Sequence, residues 1–270
     1  FGFAKAAVMP MHAWLPAAMV APTPVSSFLH GVAVVKVGVF SILRIVFFVF
    51  GTDLLAELHL GVILTALASV TVLGASLVAL TQDNLKRRLA YSTIGQLSYM
   101  ILGAGMLTAA GMTGGLLHLS MHAFGKITLF LCAGAIYVAA HRSNISEMDG
   151  LGRRMPVTYA AFFLASLSII GMPPLGGFLS KWSLVVGAID GGRLLLVAVV
   201  LVSSLLNAAY FFPIVYRGFF AAAADGTGRE TVREAPLLCL VPLSVTALFC
   251  LALFVWPSLA LELIQKVVSP

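Results

Sequence analysis

The stretch HLSMHAFGK, residues 118 to 126, sets His118, His122 and Lys126 at i, i+4 and i+8. On a helix that spacing lines one face with three titratable groups. Three further lysines, Lys5, Lys36 and Lys181, also lie in or beside apolar runs rather than in loops. Lys36 is 12 residues from Pro24 and 14 from Phe50, roughly 18 Å and 21 Å along a helix and too far for an easy reach to water at either end. Arg44, nearer the end of the same run, can snorkel and reads as structural. Desolvation disfavours the charged form of lysine, so a buried lysine can exchange its proton near neutral pH, and histidine does so with little perturbation. The six residues Lys5, Lys36, His118, His122, Lys126 and Lys181 are therefore candidates for a proton relay. Two other readings stay open: the histidines could bond neighbouring helices, and Lys36 could snorkel or pair. A zinc site is not expected, because His118 and His122 enclose no metalloprotease glutamate and have no obvious third ligand.

The elements that carry these groups follow from composition. Hydrophobic residues make up 60% of the chain and charged residues 10%, against roughly 25% charged in a soluble domain. The chain reads as a multi-pass membrane protein embedded in a lipid bilayer. Apolar segments fall at about 1–19, 24–50, 58–80, 87–108, 113–140, 155–188, 192–219 and 236–263. They are apolar all round rather than alternating, which excludes a membrane barrel and predicts an all-helical bundle. The sequence opens on FGFAKAAVMP, with neither an initiator Met nor the basic region of a signal peptide. It is expected to be a fragment whose first span is truncated.

Two segments are interrupted. Pro10 removes a backbone donor beside Lys5, and GMPPLGGF places Pro173 and Pro174 between glycines just before Lys181. Paired discontinuous helices point to a transport site. Lys86, Arg87 and Arg88, then Arg142, Arg153 and Arg154, then Arg217, Arg229 and Arg233 occupy alternate loops, which are therefore expected to be cytoplasmic.

A net charge of +6 does not indicate nucleic acid here, because the basic residues cluster in short loops between spans. Cys132, Cys239 and Cys250 lie in apolar runs without C-x-x-C spacing, so neither disulfides nor an iron–sulfur centre is expected. GAGMLT lacks the third glycine of a dinucleotide fingerprint, and there is no P-loop. No cofactor is expected, and any redox chemistry belongs to another subunit. Every acidic residue can be placed in a loop or near a segment end, which leaves the buried lysines without a carboxylate.

The blocks KAAVMPMHAWLPAAMVAPTPVSSFLHGVAVVKVGVF, QDNLKRRLAYSTIGQLSYM, HLSMHAFGKITLFLCAG, GLGRRMPVT and GMPPLGGFLSKW resemble, in order, those of the antiporter-like membrane subunits. That family includes the proton-pumping subunits of respiratory complex I and the large subunits of Mrp-type sodium/proton antiporters. Lys36, Lys181 and SSLLNAAYFFPIVYRGFF look most like the D-type Mrp subunit. The resemblance implies a fourteen-helix inverted-repeat transporter fold with two discontinuous helices, of which this chain is the C-terminal part. Residues 1–57 would end the first repeat, 58–220 form the second five-helix repeat, and 221–270 supply a cytoplasmic loop and a final transmembrane helix. In that mapping Lys5 and Lys181 follow the lysines of the two broken helices, Lys36 connects the repeats, and His118, His122 and Lys126 form the relay. The implied function is proton translocation within a multi-subunit monovalent cation/proton antiporter of the bacterial inner membrane. Expected partners are other membrane subunits, with protons and sodium as candidate ions. The alternatives are a membrane-arm subunit of an NADH-quinone oxidoreductase or a membrane-bound hydrogenase, and, from another class, a scaffold whose lysines bind anionic lipid.

Overall fold

In hydrocarbon every backbone donor and acceptor must be satisfied within the protein, and uninterrupted apolar segments answer that demand as helices. The computed structural model describes residues 1–222 and 233–268. In chain order the helices are α1 (Gly2–Lys5), α2 (Trp14–Ala17), α3 (Thr23–Gly31), α4 (Val34–Arg44), α5 (Thr52–Glu57), α6 (Leu60–Thr81) and α7 (Leu85–Gly105). They continue with α8 (Ala109–Ala140), α9 (Leu151–Arg154), α10 (Pro156–Ile170), α11 (Gly176–Asp190), α12 (Leu194–Phe220), α13 (Leu237–Val255) and α14 (Ser258–Val268). No strand occurs among the described residues, only an isolated bridge between Asn84 and Asn144.

The long helix α8 packs against α3, α7, α10, α11, α13 and α14. Its 32 residues extend about 48 Å, so it passes the whole depth of a bilayer and exposes one face to each neighbour in turn. Side-chain caps fix two helix starts earlier than hydropathy alone suggests. Asn84 accepts from Arg87 N (3.1 Å) at α7, and Thr108 accepts from Gly111 N (3.2 Å) at α8.

The interruptions lie where the prolines predict. α1 stops at Lys5; Pro10 lies in the turns that follow, Met9 N donates to Thr71 Oγ1 (3.2 Å), and Trp14 Nε1 returns to Ala4 O (2.8 Å). The segment 155–188 resolves into α10 and α11, with Gly171 at φ 90° and Pro173 and Pro174 in the gap. Two further interruptions carry weaker signals. The run after Pro24 bends at Val32 and Ala33 between α3 and α4, and the last apolar segment divides at Trp256–Pro257 into α13 and α14. Proline ends the helix there because it cannot donate to the preceding turn. α14 then folds back so that Ile264 packs on Leu117 and Met121 of α8.

The loops separate into two ends. At one, Lys86 Nζ donates to Ala21 O (2.6 Å), Asn84 pairs with Asn144, Arg153 Nε donates to Phe219 O (2.6 Å), and Arg217 Nε bonds Asp149 Oδ1 (2.6 Å). The hydrogen bond and charge of Arg217 hold the Asp149 carboxyl below the usual carboxylate range. At the other end Arg193 donates to Gly105 O (3.2 Å) and Thr108 to Gly187 O (3.0 Å). Several basic residues depart from their expected places in loops: Lys86, Arg87 and Arg88 fall in α7, Arg153 and Arg154 in α9, and Arg217 near the end of α12. Because the Asn84 cap starts α7 early, Arg88 lies in the first turn of that helix, buried, and donates to Gln82 O (2.8 Å) and Tyr210 O (3.0 Å). Arg229 lies outside the described residues.

Candidate functional site

Lys181 sits in the second turn of α11, directly after the break. Its Nζ donates to Ile170 O (3.0 Å), a carbonyl at the broken end of α10, and to Ser204 Oγ (3.0 Å), and it stands 4.7 Å from the centre of the Tyr99 ring. The break thus supplies a ligand for the lysine as well as its position. Gly171 makes room for it, since a Cβ there would lie 2.7 Å from Lys181 Cδ.

From Lys181 the polar contacts run without interruption into the bundle. The Asn207 amide satisfies all its neighbours in one orientation: its oxygen accepts from Lys181 Nζ (3.1 Å) and Gln96 Nε2 (3.0 Å), and its nitrogen donates to Tyr210 Oη (2.7 Å) and Ser203 O (3.2 Å). Tyr210 Oη in turn donates to Ser92 Oγ (2.8 Å). Gln96 Oε1 lies 3.0 Å from His118 Nε2, and His118 Nδ1 lies 2.8 Å from Ser180 Oγ. An amide oxygen only accepts, so Nε2 of His118 carries a hydrogen. The Ser180 hydroxyl has two acceptors within reach, His118 Nδ1 and Gly177 O (2.9 Å). When it turns to Gly177, Nδ1 is free to take a proton.

The other predicted residues surround this line. Lys36 Nζ donates to Leu119 O (2.6 Å), which brings α4 against α8 beside His118. His122 is fully buried, its ring centre is 6.1 Å from that of His118, and both its nitrogens lack a protein partner. Lys36 and Lys126 are within electrostatic range of it. Lys126, also fully buried, donates to Leu89 O (3.1 Å) and lies 5.8 Å from the Phe211 ring centre. Lys5 is half-buried over Phe1 on α1, and α1 packs against α4 at Gly38. The fold therefore groups Lys36, His118, His122, Lys126 and Lys181 around α8 and leaves Lys5 at the side of the bundle.

Sequence reasoning singled out neither His30 nor Asn207. His30 is buried, stacked on Phe130 at 4.6 Å, and neither ring nitrogen has a protein partner. Asn207 joins four groups at once. His30 could have been found by the test that exposed Lys36, a titratable side chain inside an apolar run, whereas a neutral amide such as Asn207 gives no comparable signal. Among the described residues no aspartate or glutamate is buried, and no cluster of His, Cys, Asp and Glu could hold a metal.

The family model for NADH:quinone oxidoreductase/Mrp antiporter transmembrane proteins matches residues 2–207. NADH-quinone oxidoreductase subunit N of Desulforudis audaxviator is 38% identical over 234 residues, covering 86% of this chain and 46% of that protein. Hydrogenase-4 component B of Escherichia coli is 34% identical over 276 residues, covering 93% and 40% respectively. A chain of the Mrp complex from Dietzia sp. superposes with a TM-score of 0.88 at 27% identity, covering all of this chain and 58% of its own. The chain thus spans about half the length of the relatives it matches. With a family match over three quarters of its length and an all-helical multi-pass membrane fold in common, it belongs to the NADH:quinone oxidoreductase/Mrp antiporter transmembrane family.

Proposed function

We propose that this chain is a proton-translocating membrane subunit of a multi-subunit monovalent cation/proton antiporter. Protons pass among Lys36, His118, His122, Lys126 and Lys181, and Lys5 lies on the approach from the first broken helix. The observation that carries this reading is the unbroken contact from Lys181 through Asn207 and Gln96 to His118, at 3.0 to 3.1 Å per step. The ammonium groups of Lys36, Lys126 and Lys181 are each held by a backbone carbonyl, of Leu119, Leu89 and Ile170 respectively. A carbonyl accepts a hydrogen bond from either protonation state, whereas a carboxylate would favour the charged one. Lysines so placed can give up a proton and recover it. Partner-free nitrogens on His122 suit the intervening steps, where water supplies the missing contacts.

The five-helix unit of α6, α7, α8, the broken pair α10 and α11, and α12 fits the second repeat, residues 58–220. Residues 1–57 then belong to the first repeat, and 221–270 follow it. Other membrane subunits are the proposed partners, sodium the proposed exchanged cation, and the bacterial inner membrane the proposed location.

A second reading is a proton-pumping arm of an NADH-quinone oxidoreductase or membrane-bound hydrogenase, favoured by the 38% identity to a subunit N. The proton path is shared, but the driving reaction differs. The common claim is tested by proton movement in everted membrane vesicles carrying Lys36→Ala in the assembled complex. Transport is expected to be lost while the subunit stays at its normal level, and normal transport would overturn the role of Lys36. Dependence of wild-type proton movement on a sodium gradient, rather than on substrate oxidation, would favour the antiporter.

A further inference from the structure

At the basic end of the bundle, the starts of α3, α7 and α13 and the second half of α8 enclose a cleft of about 650 Å³. That volume falls in the range of ligand sites, but its walls contain none of the proposed relay residues. Its lining is divided by depth. At the level of the connecting loops stand Lys86 and Arg142, with Asn84 and Ser143 beside them. Deeper lie Leu131, Ala135 and Pro242. Leu131 is nine residues before the end of α8, roughly 14 Å into the bilayer from the loops.

Among the described residues no aspartate or glutamate lines the cleft to compensate the two cations. The Lys86 ammonium is held at the rim by Ala21 O, and Arg142 is exposed. The apolar side opens laterally, because Val138 is 50% and Leu238 89% exposed. A positive rim above an apolar slot that faces the hydrocarbon is complementary to an amphiphile with an anionic head. Free phosphate would satisfy the rim and leave the slot unused. A neighbouring apolar helix would fill the slot and leave the charges unpaired.

We propose that this cleft binds one anionic phospholipid, its phosphate between Lys86 and Arg142 and an acyl chain along Val138, Ala135 and Leu131. Basic pockets between transmembrane helices at a cytoplasmic surface hold such headgroups, at a cost of roughly five-fold in affinity for each cation removed. The site is separate from proton transfer and would fasten α3 and α13 to the α7–α8 pair.

The test is native mass spectrometry of the detergent-purified protein, exchanged into micelles containing either phosphatidylglycerol or phosphatidylcholine. One phosphatidylglycerol is expected to survive delipidation, with no phosphatidylcholine retained. Arg142→Gln should weaken retention about five-fold and Lys86→Gln with Arg142→Gln about thirty-fold. Because Lys86 also tethers Ala21, Cys239→Trp provides an independent variant that fills the slot and spares both cations, and it should release the lipid as well. Equal retention of both lipids, or retention unchanged in Arg142→Gln and Cys239→Trp, would overturn the proposal. So would displacement of phosphatidylglycerol by inorganic phosphate alone, or a crosslink from Leu238 to another subunit's helix in place of lipid.

Discussion

Asn207 is the residue on which most of the buried network depends, since Lys181, Gln96 and Tyr210 all meet its amide. Replacing it with Asn207→Leu would keep the volume, leave Gln96 Nε2 without its acceptor, and remove one contact each from Lys181 and Tyr210. Leaving a buried polar group unpaired costs about 1–3 kcal/mol, so the variant is expected to melt several degrees lower and to translocate protons at least ten-fold more slowly. A thermal melt with a proton-flux assay on the same preparation checks both; unchanged flux would remove Asn207 from the path. Lys36, His118, His122, Lys126 and Lys181 were legible in the sequence because charge or imidazole within an apolar run is rare, and helical spacing then assigns a face. Asn207 was not, because a neutral amide in an apolar span is routinely spent on helix–helix bonding. Two of its partners, Ser203 and Tyr210, are local to α12, and only the approach of α12 to α7 and α11 adds Gln96 and Lys181. Ser180 is similar: Gly177 O lies in its own helix, and only the packing of α8 on α11 brings up its second acceptor, His118 Nδ1.

At the scale of elements, proline predicted the major breaks and capping chemistry refined their neighbours. Pro10, Pro173 and Pro174 interrupt helices as their missing donors require. The kink between α3 and α4 was hidden because HGVAV contains only a glycine, which a helix tolerates. The return of α14 was hidden because Pro257 sits within a run that reads as one apolar segment. Hydropathy reports solvent, and it is blind to a turn whose two arms are both apolar. The α10–α11 break is also held by a close approach: a Cβ on Gly177 would collide with the carbonyl oxygen of Ser168. Gly177→Ala is therefore expected to force α10 and α11 apart, destabilise the protein by about 1–3 kcal/mol, and reduce transport by moving Lys181 away from Ile170. Limited proteolysis and flux measured together would show this, and a variant with wild-type stability and flux would mean that the break adjusts freely.

For the whole molecule, the two ends of the bundle carry different charges, and that asymmetry predicts its orientation. Lys86, Arg87, Arg142, Arg153 and Arg217 share one end with Asp149, while Asp53, Asp190 and Arg193 lie at the other. Arg87 is exposed there. Arg87→Cys in a background without other reactive thiols should therefore react with a membrane-impermeant maleimide only in everted vesicles. Labelling in intact cells would invert the topology.

Across that depth the bundle holds buried lysines and histidines with no buried carboxylate among the described residues. In the proposed relay their value lies in releasing protons, and a fixed positive charge would serve a different purpose. The measurement that separates these is proton translocation by the assembled complex carrying Lys126→Arg, with subunit abundance matched to wild type. Arginine keeps the charge but holds its proton too tightly to pass it on. Translocation is expected to fall to the background of a strain lacking the subunit. Translocation at the wild-type rate would show that Lys126 acts as a fixed charge and that protons travel by another route.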